Sequence, residues 1–158
     1  MRRLRRLRRL CGLTATDRRL LAEACVRLFV VTMALRLVGY GRLSRWVPGC
    51  APRSIRAEHK QTAVRYAFWI RLAARAQPFE ALCLAQSVTL HAWLRGQGIP
   101  SHLKIGVVKA GAQLAAHAWV ELDGTPVNDS QESIADFTPL GPRRPLGTLH
   151  QLQTSAAN

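Results

Sequence analysis

The apolar positions of the chain change period near residue 76. Leu4, Leu7, Leu10 and Leu13 stand three apart with arginines between them. On a helix that spacing makes a narrow apolar stripe on a strongly basic rod. Thr16-Asp17 reads as a helix start, a capping hydroxyl followed by an acid in the first turn. Leu20, Leu21, Ala24, Leu28, Val31 and Leu35 then recur at helical spacing up to Gly39 and Gly41, which predicts an amphipathic helix of about five turns. A loop with Pro48, Gly49 and Pro52 follows. Ser54 is placed to cap a further helix whose buried stripe is Ile55, Val64, Ala67, Phe68 and Leu72. Pro78 ends it, because a residue before proline is pushed out of helical geometry.

After residue 76 helical and strand patterns mix. Phe79 to Gln97 has a helical pattern with Leu82, Val88, Leu90 and Leu94 near one face, stopped by Gly96 and Gly98. Ile99 to Val108 alternates as a strand, Gly111 starts a turn, and Leu114 to Leu122 and Thr125 to Ser130 read as two more strands. Beyond Phe137 the chain is rich in Pro, Gly and Arg. The pattern predicts an α+β protein in three parts: a helical region over 1–75, a mixed core over 76–140 and a loosely ordered tail over 141–158. No internal repeat is present.

Composition adds charge. The 158 residues carry a formal charge of +14, which favours anionic partners: nucleic acid, a membrane surface, or an acidic protein or peptide. Most of it is arginine, with lysine at Lys60, Lys104 and Lys109 alone. No nucleic-acid motif and no interleaving of aromatic and basic residues accompanies it. No run approaches the ~18–20 apolar residues of a membrane span, and no cleavage site follows an apolar stretch near the basic start. The expectation is a cytoplasmic protein, with peripheral membrane contact through residues 1–13 left open. The cysteines, Cys11, Cys25, Cys50 and Cys83, form no C-x-x-C pair and no zinc-ligand spacing, so no metal or cofactor is expected and a reduced setting fits.

Cys83 falls in the first turn of its predicted helix. Unpaired N–H groups and partial positive charge there favour a thiolate and can bind an oxyanion. His117 and Asp129 follow in the next strands. Two loops fit the turn between those strands. A three-residue loop, Leu122-Asp123-Gly124, with Gly124 left-handed in a bulge, pairs Glu121 with Thr125 and sets His117 opposite Asp129. A two-residue Asp123-Gly124 loop shifts the register by one and brings Asn128 toward the histidine's face. The bulged loop is favoured, because it assembles a base with its orienting acid. His91 lies about 12 Å up the helix from Cys83, too far to pair with it. Ser87, one turn from Cys83, is a candidate substrate contact or a packed hydroxyl. Gln77, in the loop before the helix, is a candidate oxyanion donor or an ordinary loop amide.

Four pieces then combine: Cys83-Leu84-x-x-Ser87, Arg95-Gly96-x-Gly98-Ile99, Leu103-x-Ile105-Gly106-Val107 and Ala116-His117-Ala118-Trp119-Val120-Glu121. Together they resemble the transglutaminase-like domain of lasso peptide B proteins, the leader peptidases of lasso peptide biosynthesis. The resemblance is close over about residues 76–130, and departs where Gln86 replaces a usual arginine. It implies a transglutaminase-like or papain-like core, a Cys-bearing helix packed on a small antiparallel sheet. It also implies Cys83 as nucleophile, His117 as base and Asp129 as orienting acid. Papain-like folds use a glutamine at about the spacing of Gln77 as oxyanion donor. Residues 1–75 read as helices without a hairpin, so the resemblance implies the split layout. In that layout a separate leader-recognition protein presents the precursor peptide, and an ATP-dependent lasso cyclase acts next. Two other readings stand beside it: acyl transfer on the same fold, as in transglutaminases, and a non-catalytic basic adaptor.

Overall fold

The computed structural model describes residues 13–47, 54–77, 82–110 and 113–140. Residues 1–12 of the leucine–arginine stripe and the tail over 141–158 lie outside the described residues. The chain runs through α1 (Ala15–Val38), a short α2 (Tyr40–Leu43), a 3-10 turn (Ser44–Trp46), α3 (Ala57–Ala76) and α4 (Cys83–Gly96). It then enters β1 (His102–Ala110), β2 (Gln113–Leu122) and β3 (Thr125–Pro126), a single-turn α5 (Gln131–Ile134) and β4 (Thr138–Pro139).

Helix α1 begins two residues earlier than Thr16 would set it. Thr14 is the cap: its Oγ1 accepts from the Asp17 amide at 3.2 Å and donates to the Asp17 carboxylate at 2.8 Å, satisfying an orphan donor of the first turn. The helix runs for 24 residues, longer than the spacing predicts, and stops at Gly39, whose φ of 74° suits glycine. Helix α3 starts at Ala57 rather than at Ser54, with the Arg56 amide donating to His59 Nδ1 at 3.2 Å. Its buried side also differs from the expected stripe. Ala63, Ala67, Trp69, Ile70 and Ala73 face inward, while Val64 and Phe68 are 56% and 59% exposed. The alanines let α3 approach its neighbours closely.

Among the described residues the sheet is antiparallel, in the order β3-β2-β1-β4. One core joins helices to sheet. Ala24 and Leu28 of α1, Ala63, Ala67 and Ile70 of α3, Leu90, Trp93 and Leu94 of α4, and Val120 and Leu122 of β2 form a single buried cluster. Trp93 is stacked on Tyr66 at 4.1 Å, and the Arg27 guanidinium lies 5.0 Å from its ring. This is an α+β fold with the Cys-bearing helix laid on a small sheet. No described helix is long and apolar enough to cross a membrane.

The turn after β2 corrects the expected register. Glu121 pairs with Pro126 and Leu122 with Thr125, so the loop is the two-residue Asp123-Gly124 and not the three-residue bulge. Both loop residues have positive φ, 51° and 71°, as a type I′ turn demands. Asp tolerates the left-handed region better than most residues, and this turn matches the twist of the flanking strands. The third strand is correspondingly short: regular pairing covers Thr125–Pro126 rather than reaching Ser130.

Candidate active site

Cys83 is the first residue of α4, with Leu82 as its N-cap. No side chain caps this end. The first intrahelical bond is from the Gln86 amide to the Leu82 carbonyl, so the amides of Cys83, Leu84 and Ala85 have no partner within the helix. Leu82, expected on the apolar face, is exposed. Cys83 is a free, half-buried cysteine. It lines a cavity of about 650 Å³ together with Gln86, Arg71, His117, Asn128, Asp129 and Ser133, among others. That volume suits a peptide-sized segment.

The imidazole and its acid come together. His117 Nε2 lies 2.7 Å from Asp129 Oδ2, and Ser133 Oγ donates to the other carboxylate oxygen at 3.2 Å. Since Nε2 is engaged by the carboxylate, Nδ1 is the nitrogen left for proton transfer. The ring is held by neighbours on its face of the sheet: Phe137 at 5.4 Å and Trp119 at 6.3 Å between centroids. Trp119 is itself fixed, its indole N–H donating to Glu121 at 2.7 Å. The thiol of Cys83 joins this group through the cavity it shares with the ring, not through a hydrogen bond. Such contacts are commonly longer before substrate binds.

The pair arises by a different route from the one the sequence suggests. In the observed register a continued β3 would set Asp129 opposite Ala118, on the wrong side of β2 for His117. The chain instead leaves the ladder after Val127, whose amide still donates to the Val120 carbonyl at 3.0 Å. Asn128 Oδ1 then accepts from the Val120 amide at 2.8 Å, and Asn128 Nδ2 donates to Ser87 Oγ at 3.0 Å.

Two candidate contacts, Ser87 and Gln77, take the other of their two readings. Ser87 has no exposed surface. Its hydroxyl donates to the Ala118 carbonyl at 2.7 Å and accepts from Asn128, so it ties α4 to β2 and is not a substrate contact. Gln77 Nε2 donates to the Cys25 carbonyl at 2.9 Å, and its Oε1 is buried without a partner. It is absent from the cavity wall, so its candidate oxyanion role has no geometric basis. Among the polar lining residues that sequence reasoning missed are Arg71, Gln86 and Ser133. Gln86, one helical turn from Cys83, carried a signal, since its spacing puts it on the cysteine's side of the helix. Arg71 and Ser133 carried none.

His91 stands apart from this chemistry. Its Nδ1 lies 2.8 Å from Ser101 Oγ. Burial, then Arg95 and His102, lowers its pKa to about 4.

The transglutaminase-like superfamily profile matches residues 25–141, well over half of the chain. The chain belongs to the transglutaminase-like superfamily. Members of that superfamily are in general cysteine-protease-like enzymes. The match takes in most of α1 as well as the sheet, in keeping with the single core. Comparison with curated proteins and with solved structures gave no match.

Proposed function

We propose that this transglutaminase-like protein is a cysteine peptidase that removes the leader from a ribosomal precursor peptide, and that the precursor is that of a lasso peptide. The observation that carries the peptidase reading is the His117–Asp129 pair at 2.7 Å, opening on a cavity whose wall includes Cys83 at a helix start. The four sequence motifs carry the lasso part.

The steps balance on these residues. The Cys83 thiolate attacks the carbonyl carbon of the leader–core amide. The negative charge that develops on the carbonyl oxygen is met by main-chain N–H groups at the start of α4. His117 Nδ1–H gives its proton to the departing core amine as the C–N bond breaks, leaving a thioester to the leader. Water then attacks the thioester, giving a proton to Nδ1. The leader leaves as the free acid, which loses its proton to solvent, and the thiolate with its protonated His117 is restored. Asp129 holds the ring and stabilises its charged form throughout.

A separate leader-recognition protein would present the substrate, and a lasso cyclase would close the freed core. The test is incubation with a precursor peptide, with and without the leader-binding partner, followed by mass spectrometry of both fragments. Hydrolysis adds one water across the pair. Cys83→Ala and His117→Ala should each lower cleavage by more than about 10³-fold with the fold intact. Asp129→Ala should lose most activity and Asp129→Asn less, since an amide can still orient the ring. Wild-type turnover in Cys83→Ala ends the reading. An amine-linked leader with no free carboxylate would replace it by acyl transfer.

A further inference from the structure

We propose that Asn128 is a positioning residue for the site: its side chain ends β3 where it does and thereby delivers the Asp129 carboxylate to His117. The inference rests on the thiol–imidazole–carboxylate reading above.

Val120 and Val127 face each other as a hydrogen-bonded pair, with the Val127 amide donating to the Val120 carbonyl. In a continuing antiparallel ladder the Val120 amide would return the bond to the Val127 carbonyl. Here Asn128 Oδ1 takes that amide at 2.8 Å. The side chain stands in for the backbone, so the strand can end without leaving a buried donor unpaired. The same amide group is anchored at its other end, Nδ2 donating to the buried Ser87 hydroxyl at 3.0 Å. The main-chain carbonyl of Asn128 is held as well, by Arg71 of α3 at 2.6 Å. The peptide leading into Asp129 is therefore fixed from β2, α4 and α3 at once. Its neighbour's carboxylate meets His117 at 2.7 Å, across the parity that a regular ladder would forbid.

No other amide-sized side chain does both jobs at this length. Aspartate keeps the acceptor for Val120 but loses the donor to Ser87 and adds charge beside Asp129. Alanine loses both.

The test reads the site without needing the substrate. Alkylation of Cys83 by iodoacetamide is followed across pH in the full chain. Peptide mapping separates Cys83 from the other three cysteines. Wild type, His117→Ala, Asp129→Ala, Asn128→Ala and Asn128→Asp are compared, with far-UV circular dichroism confirming the fold. The Asn128→Ala profile should move toward that of Asp129→Ala, and Asn128→Asp should lie between it and wild type. On a cleavable precursor, kcat should fall about 10–100-fold in Asn128→Ala with KM little changed, the size expected of a misplacement near 1 Å. If Asn128→Ala does not fold, Ser87→Ala serves instead and should shift the profile the same way by less. A wild-type profile in a folded Asn128→Ala, or a loss seen only in KM, overturns the positioning role. If His117→Ala itself leaves the profile unchanged, it is the thiol–imidazole reading that fails.

Discussion

Gly106 shows how one missing atom supports the site. It lies opposite His117 in the β1–β2 ladder. A Cβ there would sit 2.8 Å from the Trp119 ring and 2.9 Å from Phe137 Cβ. Both of those side chains pack on the His117 ring. The Gly-Val step of β1 is visible in the sequence, but its reason is not. It lies in a tryptophan diagonal to it and a phenylalanine some thirty residues on, brought over β1 by β4. Gly106→Ala should therefore displace the two rings, cost about 1–3 kcal/mol of stability and lower cleavage more than that loss of fold explains. Thermal unfolding and kcat measured on the same preparation check this; a variant with unchanged kcat would show that the rings do not steer the histidine. Ser87 makes the complementary case. Its removal leaves the Asn128 amide short of an acceptor in a buried place, so Ser87→Ala should cost about 1–3 kcal/mol, read from the urea midpoint.

At the scale of elements, what the sequence reveals depends on how local the determinant is. Cys83 in the first turn of a helix, His117 in a strand and the order of helices and strands as far as β3 follow from period, whereas α5 and β4 do not. The β2–β3 register does not, because Asp123-Gly124 serves either a bulged or a tight turn, and only the left-handed φ of both residues decides. The inward face of α3 does not follow either, for another reason. Large apolar residues mark a stripe at Val64 and Phe68, but close helix approach selects alanines, so the buried side is Ala63, Ala67 and Ala73 with Trp69 and Ile70. The α4–β1 corner carries a pH dependence. His91 is buried there beside Arg95 and His102, and its pKa lies at about 4 against an ordinary 6.5. On acidification the unfolded chain takes up this proton first, so the contribution is complete above about pH 6.5 and is lost as pH falls toward 4. Between pH 7 and 4.5 this amounts to about 2 kcal/mol. Denaturant unfolding of wild type and His91→Asn at both pH values isolates it: the wild type should lose about that much more than the variant. Equal losses would mean that burial of His91 does not govern the acid limb.

At the scale of the molecule, the helices before residue 76 and the site-bearing half form one body. Trp93 of α4 is fully buried, with Tyr66 of α3 stacked on it and Arg27 of α1 against its ring. Leu28 of α1 belongs to the same buried cluster as Val120 and Leu122 of β2. A chain cut to residues 76–158 would expose Leu90, Trp93, Leu94 and that inner face of β2 to water. At about 25 cal/mol per Å² of apolar surface, the remaining small sheet could not offset such exposure. The truncated chain should fail to fold, and the intact chain should unfold in one step, with helix circular dichroism and tryptophan fluorescence tracing the same midpoint. Leu28→Ala sharpens the test, because it alters α1 alone. It should cost about 2–5 kcal/mol and lower both transitions together. Two separate transitions, of which Leu28→Ala lowers one alone, would show instead that the N-terminal helices are a separable unit. The site would then stand on its sheet and α4 alone.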